Sequence, residues 1–149
     1  MRATLKEGEM GWATKEIFVG ELDRQDIVIF TRDNREIIKR VIGKPNDHIK
    51  ITREGIFVNN EFIEENYVTT KNKGETYIDN SSWNDIVLGE GQYFVLGDNR
   101  ANSYDSRFYG PISREDITGK LTLIYARGDC TDSSCDKLIN QGFVPFRWY

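Results

Sequence analysis

EIIKRVIG, residues 36 to 43, decides how the rest of the chain is read. It is short, β-branched and closed by a glycine, which is the pattern of a strand. In an extended strand alternate side chains share a face. Ile37, Lys39 and Val41 then point one way, and Ile38, Arg40 and Ile42 the other. Each face is apolar with one cation in its middle. If the face of Lys39 lies inside, its ammonium is partly desolvated, and desolvation lowers an amine's pKa. A lysine that is neutral near physiological pH can act as a general base. The same pattern also fits a lysine on an exposed face, or one that snorkels past apolar neighbours to water.

Similar stretches run outward from it in both directions: EIFVG, DIVIF, HIKIT, GIFVN, EFIEE, QYFVLG and KLTLIYA. Gly, Asp, Asn and Arg bound them. GIFVNNEFI is the clearest hairpin, with Asn59-Asn60 suited to a two-residue turn of positive φ. SREDITGK reads as one helical turn, since Ser113 and Asp116 have capping-box spacing. Residues 66–84 are polar and aperiodic, a long excursion. The expected fold class is mainly β, with antiparallel sheets, barrel-like closure and few short helices.

A chain of 149 residues fits one domain with a real core, so residues 1–149 are taken as a single domain. Its apolar fraction of 38% and aromatic fraction of 12% argue against disorder. A net charge of −4 and a pI near 5.1, with no basic patch, argue against nucleic acid as a partner. No apolar run is long enough for a membrane span, and MRATLKEGEMG has no apolar signal-peptide segment. The expectation is a soluble protein, or one whose membrane anchor is not part of this sequence. Cys130 and Cys135, in GDCTDSSCDK, make neither a CxxC pair nor a zinc set. They form either a small disulfide loop, in an oxidising compartment, or two free thiols. No metal site and no cofactor is expected. The single histidine, His48, sits at the start of a strand, and no serine stands in a GxSxG elbow, so a Ser-His-Asp triad is excluded. What remains is a lysine base in need of a hydroxyl nucleophile.

GDNRANSYDSRFYG, residues 97 to 110, leaves an apolar strand and at once gathers charged and amide groups. Either it is a solvated turn, or these groups hold something in place. With RQDIVIF at 24–30, IIKRVIGKPNDHI at 37–49 and GDNRANSYDSRFYGPI at 97–112, the chain resembles the extracytoplasmic catalytic domain of type I signal peptidases. These are membrane-anchored serine proteases that remove signal peptides from exported proteins. The resemblance covers residues 1–126, and the last of the three motifs is the most specific.

The resemblance implies a Ser-Lys dyad and a signal-peptidase-like β fold. Lys39 matches the general base and Ser103 the serine that orients its amine. Arg40 with Asp98, and Asp105 with Arg107, match two buried ion pairs. Met1, Leu5, Ile29, Ile37 and Ile38 match positions that line the substrate pocket, or are plain core. Trp12 and Phe18 match aromatics that touch the membrane surface, or are internal. The family's nucleophile lies in Ser-Met-x-Pro-Thr. Met1, Thr4, Leu5 and Gly8 fit that motif, with Ala3 in place of proline, so the serine itself would stand just before Met1. The expectation is therefore a signal peptidase I domain cut after its nucleophile and inactive as given. Lys44 and Asn46 depart from the usual leucine and glycine, and Asn46 keeps access to positive φ. The implied partners are the signal peptides of preproteins, pilin precursors among them, and the membrane surface. The implied location is the outer side of the cell membrane of a Gram-positive bacterium. The alternative is a non-catalytic relative that assists pilus assembly.

Overall fold

Strand β3 (Arg35–Gly43) obeys the alternation read from the sequence, and each of its faces meets a different core. Val41 and, at the margin, Ile37 pack with Val28, Phe30, Val95 and Ile117 in one cluster. Ile42 packs with Phe94, Leu96, Ile49, Ile56 and Val58 in the other. The computed structural model describes residues 10–15, 20–68, 82–126 and 145–147; for 10–15, 122–126 and 145–147 the description is of the backbone path.

The remaining strands are β1 (Met10–Lys15), β2 (Ile27–Arg32), β4 (His48–Ile51), β5 (Ile56–Val58), β6 (Glu61–Phe62), β7 (Asp85–Val87), β8 (Gln92–Leu96), β9 (Ile112–Ser113), β10 (Ile117–Ala126) and β11 (Pro145–Arg147). A seven-stranded sheet runs β11-β1-β10-β2-β3-β8-β9, and a four-stranded sheet runs β6-β5-β4-β7. Every pairing is antiparallel. The mainly β, antiparallel reading holds. Barrel-like closure does not: among the described residues the large sheet is open, with β11 and β9 at its edges. The reason is the second core. The chain leaves the large sheet after Gly43 and lays a second sheet over Ile42, Phe94 and Leu96. That apolar face is buried by a covering layer, so the sheet need not close on itself.

The turns follow from local chemistry. Asn59 and Asn60 have φ of 54° and 69°, as the paired asparagines suggested, and Asp33 and Asn34 close the β2–β3 hairpin at 50° and 60°. Two successive positive φ values match the right-handed strand twist. Asn46 adopts φ 70° in the turn after β3. SREDITGK begins with a 3₁₀ turn, Arg114–Asp116, that carries the capping box of Ser113 and Asp116. Helix is limited to that turn, a second 3₁₀ turn at Arg100–Asn102 and the single turn α1 (Ser106–Tyr109) among the described residues. The FVPFRWY stretch supplies β11, which pairs with β1.

β1 was not legible as a strand, and β10 is longer than KLTLIYA alone. MGWATK has no β-branched run; its pairing with β10 makes it a strand. Strand EIFVG lies mostly outside the described residues, as do most of the polar excursion and both cysteines, Cys130 and Cys135.

Candidate active site

β3 presents Lys39 and Arg40 to opposite sides of one sheet, and β8 brings the polar stretch to them. Arg40 is registered with Leu96, so the chain that follows β8 starts beside the two cations. It then folds back on itself through the 3₁₀ turn and α1. Asp105 caps α1, accepting from Arg107 N at 3.3 Å, and Ser106 Oγ accepts from Val95 N at 3.0 Å, which ties the helix to β8. The result is that Ser103 faces Lys39: Lys39 Nζ and Ser103 Oγ are hydrogen-bonded at 3.0 Å. Gly97 makes this approach possible. A Cβ there would overlap Ser103 Oγ and sit 3.3 Å from Lys39 Nζ.

Around this contact stand three ion pairs. Arg40 donates to both oxygens of Asp98, at 2.9 and 2.7 Å, and to Gln25 O at 2.9 Å. Arg107 donates to both oxygens of Asp105, at 2.8 and 2.9 Å, and from the same Nη2 to Arg100 O at 2.8 Å. Asp105 also accepts from Gly97 N at 3.1 Å. These two pairs are the ones the family resemblance implied. The third was not among them: Arg100, 1% exposed, donates to Glu65 at 2.7 and 2.5 Å and to Gly97 O at 3.0 Å. Tyr67 completes this group. Its hydroxyl donates to Glu65 Oε1 at 2.9 Å, and its ring lies 4.0 Å from the Arg40 guanidinium carbon. Glu65 and Tyr67 flank the start of the excursion that had no assignable role. One signal could have found them. Once Arg40 is matched with Asp98 and Arg107 with Asp105, Arg100 is left over, and a buried guanidinium requires a carboxylate from elsewhere.

Each of the three guanidiniums is thus neutralised by a bidentate carboxylate. Lys39 is different. Among the described residues its polar partner is a hydroxyl, and no carboxylate lies within ion-pair distance. Burial pushes its amine below the ordinary lysine value, and the Arg107 charge pushes the same way. Asp105 and Asp98 act in the opposite direction without reversing the shift. A half-buried amine with a lowered pKa, aimed at a serine hydroxyl, is equipped to take up and return a proton.

The other sequence candidates fall in different places. Ile37 packs against the first core beside Val41. Ile38 is buried on the Arg40 side of β3, opposite Lys39, and faces Ile29 across the register. Met1, Leu5 and Phe18 lie outside the described residues, and Trp12 is described by its backbone alone. His48 starts β4, as expected, with Nε2 2.6 Å from Asp85 on the smaller sheet. Tyr104, next to Ser103, is 67% exposed and stacks on Phe108 at 5.3 Å. No cluster of metal-ligating side chains occurs among the described residues. No described helix is long and apolar enough to cross a membrane.

Comparison with known proteins gives this geometry a family. The model of the family "Signal peptidase, peptidase S26" matches residues 1–126. The chain belongs to the S26 signal peptidase family. It is similar to signal peptidase I of Bacillus amyloliquefaciens, 33% identical over 132 residues, covering 84% of this chain and 68% of that protein. It is similar also to signal peptidase IB of Staphylococcus aureus, 34% identical over 141 residues, covering 83% of this chain and 71% of that protein. Among solved structures, a crystal structure of signal peptidase I from Enterococcus faecalis V583 matches with a TM-score of 0.58 and 28% identity, over 70% of this chain and 99% of that one. The S26 chain is accordingly a hydrolase of the peptidase class.

Proposed function

We propose that this S26 chain is a signal peptidase I that cleaves preproteins by acyl transfer, with Lys39 as its general base. The observation that carries the reading is the 3.0 Å contact between Lys39 Nζ and Ser103 Oγ, made by an amine that burial holds below its ordinary pKa. The nucleophile in this reading is the serine that the family motif sets just before Met1. Neutral Lys39 takes the proton from that hydroxyl as its oxygen attacks the scissile carbonyl. The resulting ammonium returns the proton to the leaving amine. Lys39 then activates water to release the acyl group, so the amine ends as it began. Ser103 holds the amine in its attacking rotamer; the pair of Arg40 with Asp98 ties β3 to the chain after β8, and the pair of Arg107 with Asp105 braces the turn that carries Ser103. Oxyanion stabilisation comes from backbone N–H groups beside the nucleophile.

The substrate in this reading is the extended segment that ends a signal peptide, with small side chains before the cut. Met1, Leu5 and Ile37, which shares the Lys39 face of β3, would take those side chains, while Ile29 and Ile38 lie on the opposite face as core. In this reading the protein acts at the outer face of a bacterial membrane.

The test uses the chain extended at its amino-terminal end to carry the motif serine. Lys39→Ala is expected to abolish cleavage of a preprotein while the thermal unfolding transition survives. Ser103→Ala is expected to lower turnover by about 10–100-fold, as loss of an orienting contact does. Substantial cleavage by Lys39→Ala would remove Lys39 as the base. A well-folded extended protein that cleaves nothing would favour the non-catalytic role in pilus assembly.

A further inference from the structure

We propose that Tyr67 is a positioning residue for Lys39, acting through Arg40 and Glu65. The inference rests on the reading of Lys39 as base and adds a residue to it. Tyr67 touches two of the three ion pairs. Its ring covers the Arg40 guanidinium at 4.0 Å, and its hydroxyl is bound to Glu65 at 2.9 Å. Both contacts lead to Lys39 by short routes. Arg40 is the next residue on β3, and its carboxylate partner Asp98 adjoins Gly97, whose Cα lies under Ser103 and Lys39. Glu65 holds Arg100, and Arg100 Nε holds the carbonyl of that same Gly97 at 3.0 Å. Tyr67 therefore clamps the Gly97 segment from two directions.

The consequence for the amine has a definite sign. The charged groups that face Lys39 are Asp105 and Arg107 from the α1 segment and Asp98 from the end of β8. Asp98 acts on Lys39 as half of a neutralised pair. An aromatic face over Arg40 favours the guanidinium where it is, through the ring quadrupole and through exclusion of water. Without that face Arg40 turns toward solvent more often. Asp98 is then less compensated, water reaches the site, and the ammonium form of Lys39 gains. The prediction is a higher titration midpoint for the amine.

The amine itself is the readout, so no substrate or nucleophile is needed. Lysine labelled with ¹³C at Cε is incorporated into the 149-residue chain, and the Lys39 signal is followed against pH by NMR. Tyr67→Leu is expected to raise the midpoint by about one unit, a roughly tenfold smaller neutral fraction below it. Tyr67→Phe, which restores a ring, is expected to bring the midpoint back toward the wild-type value. A shape-preserving series, phenylalanine to 4-fluoro- to pentafluorophenylalanine at position 67, weakens the ring quadrupole without removing the ring. Along it the midpoint is expected to climb. A flat series, or a folded Tyr67→Leu protein with the wild-type midpoint, would overturn the proposal and leave Tyr67 as packing. Cleavage by Lys39→Ala would overturn the reading of Lys39 as base but leave these midpoints untouched, so the two failures are distinguishable.

Discussion

Lys44 stands just past the end of β3, in the turn that leads to the second sheet, and its Nζ is 2.9 Å from an exposed Asp23 carboxylate. Lys39 stands within β3, half-buried, with a serine hydroxyl at 3.0 Å. One stretch of chain thus carries the same side chain in two electrostatic regimes. The hydrogen bond and charge of Asp23 raise the Lys44 pKa, while burial lowers that of Lys39. In the turn, carboxylate and amine cancel in contact with water, and the pair is of the kind that contributes little to stability. At the site, Asp98, Asp105 and Glu65 are already bound to guanidiniums. The lesson is that proximity to acids does not fix an amine's charge. Lys39 has Asp98 and Asp105 nearby, yet each is engaged by an arginine that lies closer to it.

The strongest way to break the comparison is to release one of those engaged acids' partners. Asp98→Asn leaves Arg40 buried against a neutral amide. The expected loss is about 3–5 kcal/mol of stability, the range for stranding one member of a buried pair, read as a lower urea midpoint. An unchanged midpoint would mean that Arg40 is solvated and the site is not the low-dielectric region described here.

A smaller effect sharpens the contrast through pH. A lysine whose folded-state pKa is depressed binds fewer protons folded than unfolded. Stability then rises with pH between the lowered pKa and the ordinary lysine value. Lys39→Met is expected to flatten this rise and to be more stable than wild type below that window. Lys44 has the opposite sign, because its folded pKa is raised. Unfolding free energies measured across neutral to alkaline pH separate the two. The smallest effect is expected from Lys44→Ala, with stability and cleavage by the extended protein both unchanged. A loss of cleavage there would join the turn to the site.

What could be read from the sequence was what local rules determine. The alternation in β3 is carried by consecutive residues, the Asn59-Asn60 turn by a single dipeptide, and the Ser113–Asp116 cap by one spacing. The juxtaposition of Lys39 with Ser103 spans 64 residues, and no local rule yields it; the family resemblance supplied it. Glu65 and Tyr67 stayed hidden for the same physical reason. They reach Arg100 and Arg40 across the fold from a stretch without periodicity, and only the unmatched charge of Arg100 pointed to them. Barrel-like closure failed because strand count alone does not say which apolar face a second layer will cover.

The Asp33–Asn34 hairpin has a consequence for loop engineering. Both residues sit at positive φ, and the tight bend fixes which β3 residue lies opposite Val28 and which opposite Ile27. Because strand side chains repeat every second residue, a single inserted or deleted residue that slips this register would exchange the two cations. A guanidinium, which never gives up its proton in this range, would then occupy the seat of the amine. Changes of loop length at this bend are therefore tolerable only in steps that restore the original parity.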